Sequence, residues 1–513
     1  MATMDAPIDL HTLHLGSFAG RPVAVLGLAR SGIALARFLA DRGARVTVYD
    51  VRTDEELRDA LAALDGRSVR TLLGPDVDPA EALAGQALVC TSPSVSSRFP
   101  TTEPRLRSAL ARLEAEGRVP VVSEVDLFLR LCPALTVGIT GTKGKTTTSA
   151  LTAAVLGASG MPTVLGGNIG TPLVEQLPEL TPRHRVVLEL SELQLPTLSR
   201  GTDVAIYTHV SSDHLDRHGS LEAYRTVKRR LSELVPADGA LVLNDEDPVS
   251  ADYRAPHGAQ VVRYHRSAPL PGGLGTDDGW IVVSGVERLA AAGGGMAMTG
   301  PQGRVMPVGE IGLPGAHNVS NVLAAVAAGL LLGVAPDAIR RAVAGFRGVE
   351  HRLEPVALVD GVLFVNDSQG TQPDAVIAAL RSFEQPLVLI AGGRAKGLAM
   401  DELAGVVAER ASAAVLIGES AQDLAEAFGA AGLVRIEAAT SLEEAVALAD
   451  ALARQLLADH PSGRATVLLS PAAASFDMFV DYADRGRAFK AAVASLTAGR
   501  TDPSRSHPGG TEP

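Results

Sequence analysis

The sequence has few of the residues that mark secreted, membrane-spanning or nucleic-acid-binding proteins. Its 513 residues include two cysteines, Cys90 and Cys132, which are too few for a disulfide framework. Acidic residues outnumber basic ones by 58 to 46, and the net charge of −12 disfavours a nucleic-acid partner. The longest apolar run, Val322–Ala335, is too short to span a bilayer, so it predicts a buried helix and no membrane insertion.

The N-terminus has neither a basic region nor an apolar core. No signal peptide is therefore predicted, and we expect a cytoplasmic protein with free thiols. One tryptophan and 4% aromatic residues leave a core of alanine, valine and leucine. The composition is otherwise that of an ordinary globular chain, long enough for roughly two to four domains.

Three sections of the chain each begin with an apolar strand and a polar or glycine-containing turn, after which strands and helices alternate. This pattern predicts an α/β protein with mostly parallel sheets. We expect a Rossmann-like domain at 1–133, a central P-loop ATPase-like domain with a parallel sheet at 134–348, and a second Rossmann-like domain at 349–496. The remainder, 497–513, is rich in glycine, proline, serine and charge and is predicted to be a disordered tail.

The most informative segment is an apolar strand, predicted at Leu135–Ile139, that opens into Gly141-Thr142-Lys143-Gly144-Lys145-Thr146. Glycines let successive backbone N–H groups face an anion, a lysine adds positive charge, and a hydroxyl can bind Mg²⁺. The helix predicted at Thr147–Leu156 would direct its N-terminus at the phosphates. The spacing departs from the standard P-loop, because Gly138 lies one residue too far from Gly144. A nucleotide triphosphate site is predicted, and a glycine-rich helix start without a ligand is the alternative.

The first section contains a βαβ unit that resembles a dinucleotide fold. Strand Pro22–Leu26, helix Ile33–Arg42 and strand Arg45–Tyr49 are followed by Asp50, an acidic residue able to bind a ribose or a base edge. Ala29 replaces the glycine that would let a pyrophosphate approach closely. The unit therefore favours a nucleotide other than a dehydrogenase cofactor.

Two polar clusters follow strands downstream of the phosphate loop. Glu189 closes the predicted strand Arg185–Leu190, where a carboxylate is well placed to bind Mg²⁺. The run 212–218, just past the predicted strand Val204–Thr208, contains five ionisable side chains: Asp213, His214, Asp216, Arg217 and His218. A functional cluster is favoured over a solvated loop with chance histidines.

The third section places similar turns after its strands. The segments 366–368, 392–397 and 470–477 each follow a predicted strand, at the edge where open α/β sheets bind ligands. Glycines in the second segment admit close backbone approach, and Lys396 supplies a charge for an anionic group. Each segment taken alone could be an ordinary β–α turn.

Together these segments resemble the Mur ligase superfamily. The runs 140–146 and 213–218 are similar to its ATP loop and its second signature. Segments 189–195, 366–368 and 392–397 narrow the resemblance to the branch that joins D-glutamate to UDP-N-acetylmuramoyl-L-alanine. It implies an ATP- and Mg²⁺-dependent amide ligase of peptidoglycan precursor synthesis, with an acyl-phosphate intermediate. These two substrates are the partners it implies, and we expect a monomer.

The resemblance also implies roles for individual residues. The catalytic residues would be Lys145, Glu189, His214 and Lys228. Metal ligands would be Thr146, Glu189, His214 and Lys228, the lysine as a carbamate, which exchanges a cation for an anion. ATP would be bound by Gly141, Thr142, Lys143, Gly144, Lys145, Thr146, Thr147, Asn244, Asp247, Arg352 and Asp367, with Asn244 and Asp247 on the adenine side. The UDP-substrate would be bound by Leu28, Arg30, Ser31, Asp50, Arg52, Ser92, Asn168 and His214. Glutamate would be bound by Lys396, Ser475, Phe476 and Tyr482.

The sequence departs from the family pattern at several positions and leaves alternatives open. Gln369 replaces a usual lysine, which leaves the choice between D- and L-glutamate open, and His209 stands where an asparagine is usual. Another superfamily motif, 317–321, is expected in the turn before the apolar helix. The alternatives are a ligase of the same superfamily that uses L-glutamate or another amino acid, and a P-loop small-molecule kinase. A non-catalytic scaffold is disfavoured, because the four catalytic residues are intact.

Overall fold

The structure is a computed structural model that describes residues 6–211, 220–313, 315–394, 400–459, 463–473, 475 and 478–501. The chain divides into two compact units, Met1–Phe346 and Arg347–Pro513. The first unit contains two sheets and the second contains one. Helices alternate with mostly parallel strands in all three, which confirms the predicted α/β class. The exact domain boundaries stay a prediction.

The first sheet consists of five short parallel strands. They are β1 (Pro22–Leu26), β2 (Arg45–Asp50), β3 (Val69–Leu73), β4 (Leu88–Thr91) and β5 (Val121–Ser123). The strand order is β3-β2-β1-β4-β5, so the direction of winding changes between β1 and β4. The C-terminal edge at such a switch point is where open parallel sheets bind ligands.

Four helices connect these strands, and α5 follows the last one: α1 (Arg30–Asp41), α2 (Arg58–Ala62), α3 (Pro79–Leu83), α4 (Pro104–Glu116) and α5 (Glu124–Leu131). Helix α5 begins immediately after β5, and its N-cap Ser123 Oγ accepts a hydrogen bond from Asp126 N at 3.2 Å. Apolar residues fill β1 and β4 because helices cover both faces of the sheet.

The second sheet is larger and mixed. Its strands are β6 (Leu135–Thr140), β7 (Thr163–Gly167), β8 (Arg185–Glu189), β9 (Val204–Tyr207), β10 (Ala240–Asn244), β11 (Gln260–Tyr264), β12 (Gly273–Asp277), β13 (Trp280–Ser284) and β14 (Arg304–Pro307). The order is β14-β13-β12-β11-β10-β9-β6-β8-β7. Neighbours from β7 to β12 pair in parallel, and β13 and β14 add an antiparallel edge. The phosphate loop, after β6, therefore has β8 on one side and β9 on the other.

The described helices of this sheet are α6 (Lys145–Gly157), α7 (Leu221–Glu233), α8 (Ala316–Leu331) and α9 (Pro336–Gly345). The apolar run predicted to be a buried helix forms most of α8, which packs against α6. The prediction that 317–321 precede this helix is wrong, because α8 begins at Ala316. Apolar periodicity misses this first turn, since its polar side chains face other polar groups.

The third sheet has the order β15-β16-β20-β17-β18-β19. Its strands are β15 (Glu354–Val359), β16 (Val362–Asn366), β17 (Leu387–Gly392), β18 (Ala413–Ile417), β19 (Ile436–Ala438) and β20 (Ala465–Leu469). All pairs are parallel except that between β15 and β16. A parallel core of this kind needs cover on both faces.

That cover comes from α10 (Pro373–Leu380), α11 (Asp401–Arg410), α12 (Ala421–Ala430), α13 (Leu442–Asp459) and α14 (Tyr482–Thr501). Because α14 runs to Thr501, the first residues of the predicted tail are helical instead of disordered. Residues 502–513 lie outside the described residues.

Short 3₁₀ helices occur at Leu173–Glu179, Leu195–Thr197, Ser250–Asp252, Ala290–Ala292, Pro301–Gly303 and Val308–Glu310. Both cysteines are free thiols. In the part of the chain that the structure describes, no helix has the length and apolar character needed to cross a bilayer.

Candidate functional site

The phosphate loop joins the buried strand β6 to the N-terminus of α6. Gly144 caps the helix with φ of 84°, a left-handed conformation that favours glycine. A Cβ at this position would lie 2.7 Å from Asn321 Oδ1, so the close approach also requires glycine. Lys145 is the first helical residue, and its Nζ donates to the Thr142 carbonyl at 3.0 Å. The loop thus leaves its backbone N–H groups at a helix N-terminus, which is a favourable site for phosphate.

Residues after β9 support this loop from one side. Thr208 Oγ1 donates to the Lys143 carbonyl at 2.6 Å, and Thr142 N donates to the His209 carbonyl at 2.6 Å. Thr142 Oγ1 accepts from Ser211 N at 3.0 Å and lies 2.9 Å from the hydroxyl of Tyr224. These contacts fix the loop in one conformation before any ligand binds.

Helix α8 supports the loop from the other side. Thr148 Oγ1, one turn into α6, donates to Asn321 Oδ1 at 3.1 Å. Asn321 Nδ2 in turn donates to Asn318 Oδ1 at 2.9 Å, so the two amides form a short buried chain. The polar first turns of α8 therefore serve the phosphate loop, which explains why they are helical and polar at once.

Glu189 ends β8, directly beside β6, as predicted for a metal-binding carboxylate. The residue is 2% exposed, and its Oε1 accepts from Asn168 Nδ2 at 2.9 Å. Within the described residues its Oε2 is buried without a hydrogen-bond partner. A buried ionised oxygen without a partner is unfavourable unless a cation or a donor completes it. The missing partner of this oxygen favours a metal ligand at this edge of the sheet.

Lys228 is fully buried in α7, against the phosphate loop. Its Nζ donates to the Gly141 carbonyl at 3.0 Å, and Thr140 Oγ1 lies 3.4 Å away. The carboxylate of Glu192 lies 4.0 Å from Nζ, and the ring of Tyr224 lies at 5.4 Å. A solvated surface lysine would have none of these contacts. The structure therefore brings this residue to the loop, although spacing alone did not single it out.

The turn after β10 carries the residues expected on the base side of the nucleotide. Asn244 Nδ2 donates to the Thr208 carbonyl at 2.8 Å, which ties this turn to the end of β9. Asp247 is fully buried, and its Oδ2 accepts from Val210 N at 3.0 Å and from Ser250 N at 3.1 Å. Both residues therefore follow β10, which is separated from the phosphate-loop strand β6 by β9 alone.

The edge of the first sheet holds the residues expected to bind the UDP-substrate. Asp50 Oδ2 accepts from Leu28 N at 2.7 Å, and Asp50 also forms a two-pronged ion pair with Arg52, the closer contact being 2.8 Å. Burial opposes ionisation of this carboxyl, but the hydrogen bonds from Arg52 and Leu28 lower its pKa overall. Ser92 Oγ donates to the Gly27 carbonyl at 3.1 Å. Asp50, Leu28, Arg52 and Ser92 thus lie together.

Arg30 and Ser31 begin helix α1 beside this cluster. One position further along, a Cβ on Gly32 would overlap the Gly27 carbonyl oxygen, so the turn and the helix can approach this closely only with glycine.

A cavity of about 340 Å³ opens beside Asp50. Its walls come from Gly27, Tyr49, Asp50, Val51, Ser94, Val95, Thr101, Thr102, Glu103, Leu106 and Leu193. Leu193 follows β8 of the second sheet, so both sheets of the first unit contribute. This size suits a nucleobase with part of its sugar, and Leu193 is a wall residue that the predicted set of UDP-substrate residues does not include.

In the second unit, Asp367 follows β16 and is buried. Its Oδ2 accepts from Ser470 Oγ at 2.6 Å and its Oδ1 from Leu353 N at 3.1 Å. Burial raises the pKa of this carboxyl to about 6, against the opposing effects of these hydrogen bonds and of the Arg352 charge. Arg352 and Asp367 are therefore neighbours.

Tyr482 and Ser475 lie in the same unit. The Tyr482 carbonyl accepts from Ser368 Oγ at 2.7 Å, which joins the start of α14 to the turn after β16. Ser475 is buried, and its carbonyl accepts from Phe479 N at 2.8 Å. Tyr482 is 36% exposed, so its side chain is accessible to a ligand.

Three predicted site residues, His214, Lys396 and Phe476, lie outside the described residues. Among the residues that the structure does describe, no group of three histidine, cysteine, aspartate or glutamate side chains could hold a metal. The proposed roles of His214, Lys396 and Phe476 stay predictions.

Sequence reasoning missed the residues that support the loop. Thr208, Ser211, Tyr224 and Asn321 are ordinary in type, and no local motif distinguishes them. A partial signal was available for two of them, because Thr208 directly follows a buried strand and Asn321 directly precedes the apolar run Val322–Ala335. Their roles follow from strand order and helix packing, which a single sequence does not specify.

Comparison with known proteins decides the family. Three family models match the chain: the Mur ligase MurD-like N-terminal domain at 21–112, the Mur ligase middle domain at 139–329 and the Mur ligase glutamate ligase domain at 351–473. The chain belongs to the Mur ligase family. It is therefore an ATP-dependent, amide-forming ligase, and the resemblance inferred from its motifs is confirmed.

Curated relatives match over nearly the whole chain. A UDP-N-acetylmuramoylalanine–D-glutamate ligase from Pelotomaculum thermopropionicum is 39% identical over 94% of this chain and 100% of its own length. One of the same name from Symbiobacterium thermophilum is 40% identical over 92% of this chain and 98% of its own. Another, from Geobacter sp. strain M21, is 39% identical over 92% and 97%. The three family models and these relatives together account for three α/β domains in the chain.

Proposed function

We propose that this Mur ligase joins D-glutamate to UDP-N-acetylmuramoyl-L-alanine at the expense of ATP, in peptidoglycan precursor synthesis. The observation that carries the proposal is the 39% identity to a D-glutamate ligase whose entire length the chain covers. The geometry agrees with it, since one sheet edge holds a cavity of about 340 Å³ and another holds a glycine-containing loop at a helix N-terminus.

The reaction has two steps. A carboxylate oxygen of the alanyl group attacks the γ-phosphorus of ATP, so an acyl phosphate forms and ADP leaves. The amine of glutamate then attacks the acyl carbon, phosphate leaves with the electron pair of the C–O bond, and the nitrogen loses a proton. Amide, ADP, phosphate and a proton are the products. The chain must therefore bind three substrates in line and exclude water from the acyl phosphate.

The phosphate loop would bind the triphosphate. The N–H groups at the start of α6 and the Lys145 ammonium would face its oxygens. Lys145 Nζ donates to the Thr142 carbonyl within the loop, so the ammonium is held at the start of α6. Thr208 and Asn321 would keep the loop in its binding conformation.

The donor set fits Mg²⁺. The buried Oε2 of Glu189 lacks a partner among the described residues, and the hydroxyl of Thr146 lies at the start of α6. Mg²⁺ prefers oxygen ligands of this kind and, when bound, neutralises charge on the phosphate oxygens. Lys228 would contribute as a carbamate, and His214 would complete the set. Asn168 would hold Glu189 through its other oxygen.

The other predicted binding residues are assigned to the uridine diphosphate, the nucleotide and glutamate. Asp50, with Leu28, Arg52 and Ser92, would bind the uridine diphosphate, with Arg30 and Ser31 at the start of α1 beside it. Arg352 and Asp367 would contact the nucleotide, and Ser475 and Tyr482, with Lys396 and Phe476, would bind glutamate. We further propose that the chain acts in the cytoplasm and is a monomer. Light scattering on the purified protein would check the oligomeric state.

One assay tests the proposal. Purified protein is incubated with ATP, Mg²⁺, UDP-N-acetylmuramoyl-L-alanine and either D- or L-glutamate, and phosphate and the amide product are measured. We expect product with D-glutamate and none with L-glutamate. Product with L-glutamate alone would support the second candidate, a ligase for the other enantiomer, since Gln369 in place of a lysine leaves that choice open. Release of phosphate without any amide would contradict both.

A further inference from the structure

His209 occupies a position between the two parts of the proposed nucleotide site. It follows β9, and the sheet order β10-β9-β6 places β9 between the phosphate loop and the turn that carries Asn244 and Asp247. The carboxyl ends of parallel strands meet at one edge of a sheet, so these three turns are adjacent.

The backbone of His209 is fixed by the phosphate loop. Its carbonyl accepts from Thr142 N at 2.6 Å and from Lys143 N at 3.4 Å, and Lys143 pairs with it as an isolated antiparallel bridge. Any movement of His209 would therefore disturb the loop, and its Cα has one location relative to the loop.

The side chain of His209 is directed by Asp247. Nδ1 lies 3.5 Å from Asp247 Oδ1, a buried oxygen without a hydrogen bond among the described residues. The other Asp247 oxygen is held by the N–H groups of Val210 and Ser250, so the carboxylate cannot rotate away. The imidazole is nevertheless 48% exposed. The ring edge that bears Nδ1 thus faces the buried carboxylate, and Nε2 lies on the opposite edge of a half-exposed ring.

We propose that Nε2 of His209 forms a hydrogen bond to the ribose of the bound nucleotide. The ribose connects a base near Asn244 to phosphates near Lys145, and His209 lies between those two residues along the sheet edge. Ribose hydroxyls both donate and accept hydrogen bonds, so an imidazole nitrogen can pair with them in either tautomer. This inference rests on the proposed nucleotide site.

An ordinary surface histidine is the competing explanation. Such a side chain would have no fixed direction and would lie away from the substrates. His257 provides a matched example, since it is exposed in the loop before β11 and no hydrogen bond of its side chain is recorded in the described structure. The two histidines differ in whether a buried carboxylate orients the ring.

Binding measurements on the full-length chain test the proposal. The affinities for ADP and for inorganic tripolyphosphate are measured by calorimetry in Mg²⁺ for the wild type, His209→Ala and the control His257→Ala. We expect His209→Ala to bind ADP about 5- to 20-fold more weakly, since one hydrogen bond to a polar ligand is lost, and to bind tripolyphosphate as the wild type does. His257→Ala should match the wild type for both ligands.

Two further variants separate contact from structure. The amide of His209→Gln reaches the position of Nε2, whereas that of His209→Asn reaches only the position of Nδ1. We expect His209→Gln to bind ADP within about 3-fold of the wild type and His209→Asn to resemble His209→Ala. Equal ADP affinity for His209→Ala and the wild type would overturn the inference. Parallel losses for ADP and tripolyphosphate would also overturn it, because they would show damage to the loop.

The outcome is independent of the amino-acid substrate. If the wild type binds ADP and His209→Ala weakens it, but no glutamate is ligated, the proposed function fails and this inference stands. If D-glutamate is ligated normally and His209→Ala binds ADP as the wild type does, the inference alone fails.

Discussion

The turn after β1 and the turn after β6 have the same place in two parallel sheets, and each leads into a helix. The first contains no lysine, and its backbone N–H at Leu28 is already bound to a carboxylate, Asp50. The second contains Lys143 and Lys145, and its helix begins at a left-handed glycine, Gly144. The first turn therefore lies beside a carboxylate, paired with Arg52, that can accept hydrogen bonds from a base or a sugar, whereas the second presents a basic helix start, suited to phosphate.

The neighbouring strands increase this difference. Beside the first turn, β2 and β4 supply Asp50 and Ser92, and a cavity opens there. Beside the second, β8 supplies Glu189 with an unsatisfied buried oxygen, and β9 supplies the residues that support the loop. A common architecture is thus adapted to two ligands by the side chains at strand ends, and substitutions at those ends should have separable effects.

The largest expected effect is at the second turn. Lys145→Ala should reduce ATP-dependent phosphate release by at least roughly 10²- to 10³-fold, because the ammonium that stabilises charge on the transferred phosphoryl group is removed. Binding of UDP, measured separately, should not change, because that ligand is assigned to the first turn. Phosphate release at the wild-type rate would show that the two turns have been assigned wrongly.

Lys228→Ala should have the next largest effect, a loss of roughly 10²-fold in turnover, with partial recovery on addition of a small carboxylate such as acetate. The reason is that an anion at this position would replace the missing carbamate as a metal ligand. Arg229→Ala is the matched control, since Arg229 is half exposed on the same helix and pairs with Glu233. Unaltered activity in Lys228→Ala would remove this lysine from the metal site.

Asp50→Asn tests the first turn and should act on substrate affinity. We expect KM for the UDP-substrate to rise about 10-fold with kcat nearly unchanged. The reason is that the Asp50 carboxylate loses the charge with which it holds Arg52 at the proposed uridine diphosphate site. KM for ATP should remain the same. Asp41→Asn is the control, because Asp41 pairs with an arginine, Arg67, on the same domain but away from the cavity. A fall in kcat at unchanged KM would contradict the separation of the two turns.

The strands of both edges were largely predictable from the sequence, because buried parallel strands are continuous apolar runs. Pro22–Leu26 agrees with the prediction at both ends, and the strands predicted at Arg45–Tyr49 and Leu135–Ile139 each extend one residue further. Helix starts were less predictable. The helix after the phosphate loop begins at Lys145, two residues before the predicted Thr147, because the polar run Lys145–Ser149 has no apolar periodicity to mark its first turn.

The candidate site was predictable where a motif is contiguous and less so where it is assembled from distant segments. Gly144 and Lys145 carry their own signal, and so does Glu189 at a strand end. Asn321 supports the loop from a helix more than 170 residues further along the chain, and the hydrogen bond from Thr148 to Asn321 spans 173 positions. A single sequence contains no local pattern for such a pair, since the partner is chosen by packing.

Glu124 connects elements of the two sheets in the first unit, and its substitution should have the smallest effect, on stability alone. It begins α5, is 3% exposed, and faces the N–H groups of Leu173 and Val174 in the 3₁₀ helix between β7 and β8. Burial raises the pKa of this carboxyl from 4.5 to about 7, although those N–H groups and the Arg30 charge oppose the shift. The folded chain therefore binds a proton that the unfolded chain releases between these pH values. As a result, this residue makes the protein less stable as the pH rises from about 4.5 to about 7, and its effect is constant above that.

Glu124→Gln removes the ionisation and keeps an oxygen for the two N–H groups. The variant should be more stable than the wild type at pH 8, by on the order of 1–3 kcal/mol in the free energy of unfolding, and the difference should shrink toward zero at pH 5. Urea unfolding at both pH values measures this, with Glu116→Gln, at the exposed end of α4, as the control. If Glu124→Gln were less stable than the wild type at pH 8, the carboxylate would be a favourable ionic contact between the two sheets. An ionised carboxylate, and not a neutral one, would then stabilise the contact between α5 and the 3₁₀ helix before β8.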